Sequence, residues 1–290
     1  MRMCACRGMA GFAHVSCLAE QAKILFAEAE ENNLGYKVLN ARWDRWSTCS
    51  LCKQDYHGVV RCALGWACWK TYLGRPETEQ IRQIAMSNLA NGLSDVERHE
   101  DSLSVRKAHL ATMRRVGDSE HNILVAQGNL AHNYAKLGRQ DEALLLKRDV
   151  YSATLKLHGE EREDTLREAD NYASSLNSMN RFEEAKTLLR KMMPVARRVL
   201  GEHDETTIRM QWTCGQALCH DPSATLDDLR EAATTLEDTA STARRVLGGP
   251  HPLTVTIGRD LQDARATLAA REVDFESFRE AFEAMTAGDA

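Results

Sequence analysis

Residues 129–143 read NLAHNYAKLGRQDEA, and this stretch decides the fold class of the chain. Its first half places apolar residues at helical spacing on one face, namely Leu130, Ala131, Tyr134 and Leu137. Gly138 follows, and glycine tolerates the left-handed backbone conformation in which helices often end. A second helical pattern starts near Asp141 and continues to Leu157. The stretch therefore predicts two helices joined by a short turn.

The same pattern returns along the chain with a period of 41–42 residues. Asn88-Leu89-Ala90 precedes the quoted stretch by 41 residues, and Asn171-Tyr172-Ala173 follows it by 42. A second marker keeps the same step, and it consists of the glycines Gly117, Gly159, Gly201 and Gly248. The last interval is longer by five residues, and the insertion falls around residues 220–223. Regular spacing of this kind indicates a repeat architecture.

Each repeat is a helical hairpin that cannot bury its apolar face alone, so adjacent hairpins must stack. Four hairpins fit between residues 79 and 249, and a further helix at about 254–271 would cover the last open face. We expect a mainly α fold over residues 79–271, an α-solenoid of about four helix pairs with a capping helix. Residues 272–290 are expected to form a C-terminal helix or tail, and residues 1–75 a small separate module.

The repeated pattern resembles the kinesin-light-chain type of tetratricopeptide repeat. Its clearest copies are residues 129–143 and the stretch RRVLGGPHPLT at residues 244–254. The resemblance covers roughly residues 80–271 and implies a tetratricopeptide array. The chain departs from the family pattern at Lys147, where a bulky apolar or aromatic residue is usual, and the pattern weakens over residues 212–232.

Charge and composition exclude several classes of function. The formal net charge is -5, so the chain lacks the basic field that drives nucleic-acid binding. No stretch approaches the roughly 20 apolar residues that span a bilayer, so we expect no membrane insertion. The nine cysteines are odd in number and unevenly placed, which argues against a disulfide framework. We therefore expect a reducing compartment, the cytoplasm or the nucleus.

Seven of the nine cysteines lie in the first 68 residues, and six residues of this region have the spacing of metal ligands. These six residues are Cys4, Cys6, His14, Cys17, Cys49 and Cys52. Zinc takes four nitrogen or sulfur ligands, and a C-x2-C pair offers two thiolates from one turn. The order C-x-C, H-x2-C, C-x2-C, with RGMAGFAH ahead of the second pair and CSLCKQDY around the third, resembles a RING-CH (RING-variant) zinc finger.

In the RING-CH family, alternate ligand pairs share one ion. The resemblance implies that one Zn²⁺ is held by four thiolates, those of Cys4, Cys6, Cys49 and Cys52. It also implies that His14 and Cys17 form half of a second site, whose partner C-x2-C should precede residue 4 and is not in this chain.

Three explanations of the missing pair stay open. The pair lies upstream of Met1, which we favour, or the finger is degenerate and binds one zinc, or Cys62 and Cys68 replace the pair. The third explanation is disfavoured because Cys62 and Cys68 are six residues apart in a predicted helix. They would lie on different faces, whereas ligands paired on a helix are three or four residues apart.

Two functions of different classes follow from these patterns. The repeat array favours a non-catalytic scaffold or adaptor that binds protein or peptide partners along the first helix of each pair. The RING-CH resemblance implies instead an E3 ubiquitin ligase, with an E2 ubiquitin-conjugating enzyme at the finger and the array recruiting substrate. The sequence contains no Gly-rich phosphate loop, no HExxH and no G-x-S-x-G motif.

The candidate peptide-binding residues are three asparagines at one helical position, namely Asn88, Asn129 and Asn171. An amide side chain both donates and accepts hydrogen bonds, so a ladder of asparagines can pair with a peptide backbone. We expect His132, Lys136 and Arg167 to add charge recognition. The alternative is that the asparagines only satisfy polar groups of neighbouring helices.

Overall fold

Most of the residues that the structure describes form α-helices. The computed structural model describes the backbone of residues 13–287 and, beyond residue 277, the side chain of Arg279 only. Its helices are α1 Val15–Glu31, α2 Tyr36–Trp43, α3 Gly58–Tyr72, α4 Gln80–Asp95, α5 His99–Val116, α6 Glu120–Lys136, α7 Gln140–His158, α8 Glu163–Ser178, α9 Phe182–Val199, α10 Glu205–His220, α11 Leu226–Val246 and α12 Pro252–Ala287. A 3₁₀ turn, Asp44–Trp46, follows α2. Within the described range, no helix is both long and apolar enough to cross a membrane.

The helices confirm the predicted repeat register. Asn88, Asn129 and Asn171 lie in α4, α6 and α8, the first helices of successive pairs. The marker glycines follow α5, α7, α9 and α11, and all four have positive φ angles between 71° and 91°. A side chain would be strained in this conformation, so glycine is the residue that ends each second helix. The mainly α repeat architecture is therefore confirmed.

Contacts divide the chain into two compact units, one ending at Ala143 and the other beginning at Leu144. This division lies inside α7 and not between residues 75 and 79, where the sequence predicts that the small module ends and the repeats begin. We call these parts unit 1 and unit 2. In unit 1, α3 belongs to the predicted small module, yet it packs along α4, the first helix of the predicted array.

Two glycines bring the backbones of α3 and α4 together. A Cβ atom on Gly65 would lie 2.8 Å from the carbonyl oxygen of Asn88. A Cβ atom on Gly92 would lie 2.8 Å from both the carbonyl oxygen of Arg61 and the Cα atom of Cys62. Side chains larger than hydrogen do not fit at such distances from backbone atoms. The two helices of unit 1 therefore share an interface that depends on glycine.

An aromatic core fills the N-terminal part of unit 1. Trp46 is 2% exposed. The ring of Phe26 packs against those of Trp43 and Tyr72 with centroid distances of 5.2 and 6.0 Å. Trp66 lies outside this core because its position on α3 leaves it 38% exposed. Trp43 and Trp69 pack against the core around Trp46, and Trp66 does not.

The insertion at residues 220–223 supplies a buried ion pair in unit 2. The Nζ atom of Lys186, on α9, lies 2.9 Å from Oδ2 of Asp221, and the two side chains are only 5% and 7% exposed. The backbone N–H and the hydroxyl of Ser223 donate to Oδ1 of Asp221 at 2.9 and 2.6 Å. The extra residues therefore bring a fully hydrogen-bonded carboxylate to a buried ammonium group.

The predicted capping helix and the predicted C-terminal segment form one helix, α12, of 36 residues. Its first part packs against α10 and α11 through Leu253, Ile257, Leu261 and Ala264. These contacts confirm that a final helix covers the end of the last pair in unit 2.

Candidate functional site

One face of α6, in unit 1, brings together three residues predicted to bind peptide. Asn129, His132 and Lys136 are exposed, and with Val125, which is 45% exposed, they follow the spacing of a single helix face. Within the described residues, the side chains of Asn129 and Lys136 make no hydrogen bond or ion pair. We call these four residues the α6 face. It presents an amide, an imidazole and an ammonium group to solvent in one row.

The other two asparagines of the predicted ladder are engaged within their own units. Asn88 is half-buried, and its Nδ2 donates to Sγ of Cys68 on α3 at 3.8 Å. Asn171 is also half-buried, and its Nδ2 donates to a carboxylate oxygen of Glu168 at 3.1 Å. The three asparagines therefore share a position along their helices but differ in surroundings, and Asn129 alone among them is exposed.

Arg167, predicted to add charge recognition, is surrounded by carboxylates of its own helix. It forms an ion pair with Asp164, and its guanidinium nitrogens lie 3.9 Å from Glu163 and 3.8 Å from Glu168. The side chain stays 44% exposed. Its positive charge is thus largely balanced within α8.

A cavity of about 180 Å³ lies in unit 1, between α4, α5 and α6, and we call it the α4–α6 cavity. Its apolar wall consists of Ile84, Met113, Val125 and Ala126. Its polar wall includes Gln83, Ser87 and His109. Val125 belongs both to this cavity and to the α6 face, so the two features are continuous. The sequence carries no signal for the cavity because its lining comes from three separate helices.

His109, on α5, has a buried ring nitrogen that faces no partner. Its Nε2 atom makes no hydrogen bond within the described residues. Burial lowers the pKa of His109, and the positive charge of Arg106, one turn away, lowers it further. The imidazole is therefore neutral at neutral pH, and its ring nitrogens offer one donor and one acceptor.

Arg106 is a buried cation held by amides. Its side chain is 7% exposed, and it donates from Nη2 to Oδ1 of Asn91 at 2.7 Å and from Nε to Oδ1 of Asn133 at 3.3 Å. Burial lowers the pKa of Arg106 to about 10, and the nearby Arg61 contributes to this. The guanidinium joins α4, α5 and α6, which form the walls of the cavity.

Lys147, where the chain departs from the family pattern, lies among charged groups in unit 2. Burial lowers its pKa, and the carboxylates of Glu168 and Asp170 on α8 oppose this effect. Asp170 is 4% exposed, and it accepts a hydrogen bond of 2.7 Å from the hydroxyl of Thr213. A polar cluster therefore occupies the position at which the family has an apolar side chain.

Cys49 and Cys52 lie in one tight turn of unit 1. The N–H of Cys49 donates to the carbonyl of Gln54 at 2.9 Å, and the N–H of Lys53 donates to the carbonyl of Cys49 at 3.0 Å. Lys53 has a positive φ of 58°, which lets the chain reverse directly after Cys52. Two thiols three residues apart on such a turn have the arrangement that zinc sites use.

The remaining candidate metal ligands that the structure describes do not form a cluster with Cys49 and Cys52. His14 and Cys17 are both exposed at the start of α1, with Nδ1 and Sγ 4.0 Å apart. No three of the four candidates His14, Cys17, Cys49 and Cys52 have ligand atoms within 4.8 Å of one another. Cys4 and Cys6 lie outside the described residues.

The third explanation of the missing ligand pair finds no support in the surroundings of Cys62 and Cys68. Cys68 is fully buried in the aromatic core, and burial raises the pKa of its thiol to about 12. Burial also raises the pKa of Cys62. Zinc binds thiolates, so neither environment favours a metal ligand.

Comparisons with known proteins agree with this repeat geometry. Residues 82–156 and residues 167–205 match models of the tetratricopeptide repeat. No curated protein matches the chain. Among solved structures, the nearly identical TPR-like repeats of a Podosopora anserina protein assigned as a kinesin light chain are 16% identical, with a TM-score of 0.52 over 81% of this chain and 98% of that one.

Two further structures have similar folds. BtubC (BKLC) from P. vanneervenii is 13% identical, with a TM-score of 0.52 over 92% of this chain and 93% of that one. A Rap protein complexed with competence and sporulation factor is 14% identical, with a TM-score of 0.50 over 87% of this chain and 66% of that one. The chain therefore contains tetratricopeptide repeats and has the fold of kinesin-light-chain-like repeat structures.

Proposed function

We propose that this chain is a scaffold or adaptor that binds a protein or peptide partner on the α6 face of unit 1. The observation that carries the proposal is the exposed row of Asn129, His132 and Lys136 on the first helix of a repeat. An extended peptide presents unpaired N–H and C=O groups, and the Asn129 amide can both donate to and accept from them. Lys136 adds a positive charge suited to an acidic side chain of the partner.

The comparisons support this class of function. Tetratricopeptide arrays recognise extended segments of other proteins along the first helices of their repeats. A neighbour of similar fold, the Rap protein, was solved in complex with competence and sporulation factor. Cysteines remain free thiols in reducing compartments, and this chain is rich in cysteines without the pattern of a disulfide framework. We therefore propose that it acts in the cytoplasm or the nucleus.

Affinity capture from cells that express the chain tests the proposal. We expect the double variant Asn129→Ala/Lys136→Ala to reduce partner recovery at least about tenfold, because it removes one polar and one charged contact of roughly 1 kcal/mol each. The measurement is quantitative mass spectrometry of the proteins captured by the full chain.

The matched control is Asn40→Ala/Lys191→Ala, which makes the same chemical changes at exposed positions of α2 and α9. Recovery with this control should equal that of the wild type. Equal recovery with both double variants would show that the α6 face does not bind partners.

We also propose that the N-terminal region binds zinc, with Cys49 and Cys52 contributing one ligand pair. The tight turn that holds both thiols supports this second role. Cys4 and Cys6 would supply the other pair, as the RING-CH resemblance implies. Zinc bound there would fix the N-terminal segment against the turn, because a closed four-ligand site crosslinks the elements that supply its ligands.

Metal analysis of the purified full chain tests the zinc role. We expect about one zinc per chain, and we expect Cys49→Ser/Cys52→Ser to abolish it because a site with two ligands removed binds weakly. The control Cys62→Ser/Cys214→Ser changes two half-buried thiols that are not proposed as ligands. Zinc content that is unchanged in the first variant would contradict the assignment.

The E3 ubiquitin ligase alternative rests on the RING-CH resemblance alone. It requires autoubiquitination in the presence of an E2 enzyme. Absence of activity across a panel of E2 enzymes, both for this chain and for a version extended upstream, would remove it.

A further inference from the structure

A groove of about 750 Å³ lies between α11 and α12 of unit 2, and we call it the α11–α12 groove. Among the residues that the structure describes, its lining contains three arginines, Arg244, Arg259 and Arg265, and a single carboxylate, that of Glu237. The Nη2 atom of Arg265 lies 2.7 Å from Oε1 of Glu237, so these two charges form an ion pair. The groove therefore keeps two positive charges beyond this pair.

These two remaining charges have no counter-charge in their surroundings. Arg244 and Arg259 are exposed, and their side chains make no hydrogen bond or ion pair with any described residue. Asp260, which follows Arg259, accepts hydrogen bonds from Trp212 at 2.6 Å and Gln216 at 2.8 Å, both on α10. A planar guanidinium pairs with a carboxylate through two parallel hydrogen bonds. The two free arginines therefore suit carboxylates on the same ligand.

The groove has room for a short extended segment. Its lining on α12 runs from Thr254 to Arg265, which is about 16 Å at the rise of an α-helix. An extended chain rises about 3.3 Å per residue, so about five residues span this length. Gly258 lies between these limits, and a Cβ atom there would meet no atom within 4 Å. The missing side chain thus leaves the middle of the groove open.

We propose that the α11–α12 groove binds a short acidic segment of a partner protein, whose carboxylates pair with Arg244 and Arg259. Ser241 and Gln262 also line the groove, and their side chains can bond to the backbone of the segment. The net charge of the chain is -5, so a long polyanion such as a nucleic acid lacks a broad basic field to bind. This is a second docking surface, and it does not depend on the α6 face.

Two capped peptides, penta-glutamate and penta-glutamine, test the charge requirement. We expect penta-glutamate to bind the full chain with a Kd on the order of 1 mM, and penta-glutamine to bind at least about tenfold more weakly because it forms no ion pairs. ¹⁵N TROSY NMR titrations measure both affinities, and the amide shifts that move should lie in α11 and α12. Equal affinities, or shifts confined to other helices, would overturn the proposal.

A charge variant locates the binding. Arg244→Gln/Arg259→Gln should weaken penta-glutamate binding at least about tenfold. The matched control Arg190→Gln/Arg271→Gln removes the same two charges at exposed positions that do not line the groove, so it should leave the affinity unchanged. An equal effect of both double variants would show that penta-glutamate responds to net charge only, which contradicts the assignment.

A groove-filling variant tests the space independently of charge. Gly258→Met should fold normally, because the added Cβ atom has open space around it, and should abolish penta-glutamate binding. Ala266→Met, at an exposed position of α12 that does not line the groove, should bind like the wild type. Penta-glutamate that still binds to Gly258→Met would place the peptide elsewhere.

Two further measurements separate this inference from other binding modes. Asn129→Ala/Lys136→Ala should bind penta-glutamate like the wild type, so the groove can be confirmed even if the proposed function fails. Loss of binding in that variant would assign the peptide to the α6 face instead. An eight-nucleotide single-stranded DNA should bind at least about tenfold more weakly than penta-glutamate. If it binds equally well through Arg244 and Arg259, the assignment to a protein segment is wrong.

Discussion

Replacing Lys186 by methionine is expected to lower the free energy of unfolding by about 3–5 kcal/mol, because it leaves the Asp221 carboxylate buried without its counter-charge. Urea denaturation followed by circular dichroism measures the change, and hydrogen exchange of the α9 and α11 amides locates it in unit 2. Lys191→Met on the same helix is the control. Lys191 is exposed, so this change should stay within about 0.5 kcal/mol.

The pH dependence gives an independent check of the same ion pair. The Ser223 hydroxyl and the Lys186 ammonium hold the pKa of Asp221 at about 2, below its ordinary value of 3.8. The stabilisation is therefore complete above pH 3.8 and is lost as the pH falls towards 2. The stability difference between the wild type and Asp221→Asn should shrink over this window. A constant difference would mean that the carboxylate charge is not involved.

Gly92→Ala is expected to destabilise unit 1 by about 3 kcal/mol, at the upper end of the range for overpacking. The new Cβ atom would lie 2.8 Å from two backbone atoms of α3, and backbone cannot move aside as a flexible side chain can. The two helices would have to separate along their whole contact. Thermal and urea denaturation of the full chain measure the loss.

The matched control for Gly92→Ala is Gly258→Ala, because a Cβ atom on Gly258 of α12 meets no atom within 4 Å. Alanine is the better helix former, so this variant should be stabilised by up to about 1 kcal/mol. The same glycine-to-alanine substitution is thus expected to lower the free energy of unfolding at residue 92 and to raise it at residue 258. If both variants were equally stable, the close approach of α3 and α4 would be ruled out.

The repeat architecture was predictable because period, helix ends and turn glycines are local properties of the sequence. Gly138, for example, marks a turn whatever surrounds it, and it has the expected positive φ of 74°. The position of the insertion at residues 220–223 was also visible as a broken interval. The ion pair that the insertion forms could not be predicted, because the partner of Asp221 is Lys186, which lies 35 residues away on another helix.

The candidate site was predictable only where one helix carries it. Asn129, His132 and Lys136 share α6, so their spacing alone places them on one face. Spacing could not show that Asn88 and Asn171, unlike Asn129, are engaged by other side chains. Their surroundings depend on neighbours such as Cys68 and Glu168. The α4–α6 cavity was invisible for the same reason, since no periodicity relates residues on three helices.

The glycine contact between α3 and α4 bears on how this protein can be divided for laboratory work. A fragment that begins at residue 79, where the repeats are predicted to start, would lack α3, the helix against which Gly92 packs. The face of α4 that α3 covers in the full chain would then be exposed to solvent and to other molecules. A fragment intended to keep the stability of the full chain should therefore retain Gly58–Tyr72, whether or not it includes the cysteines before residue 58.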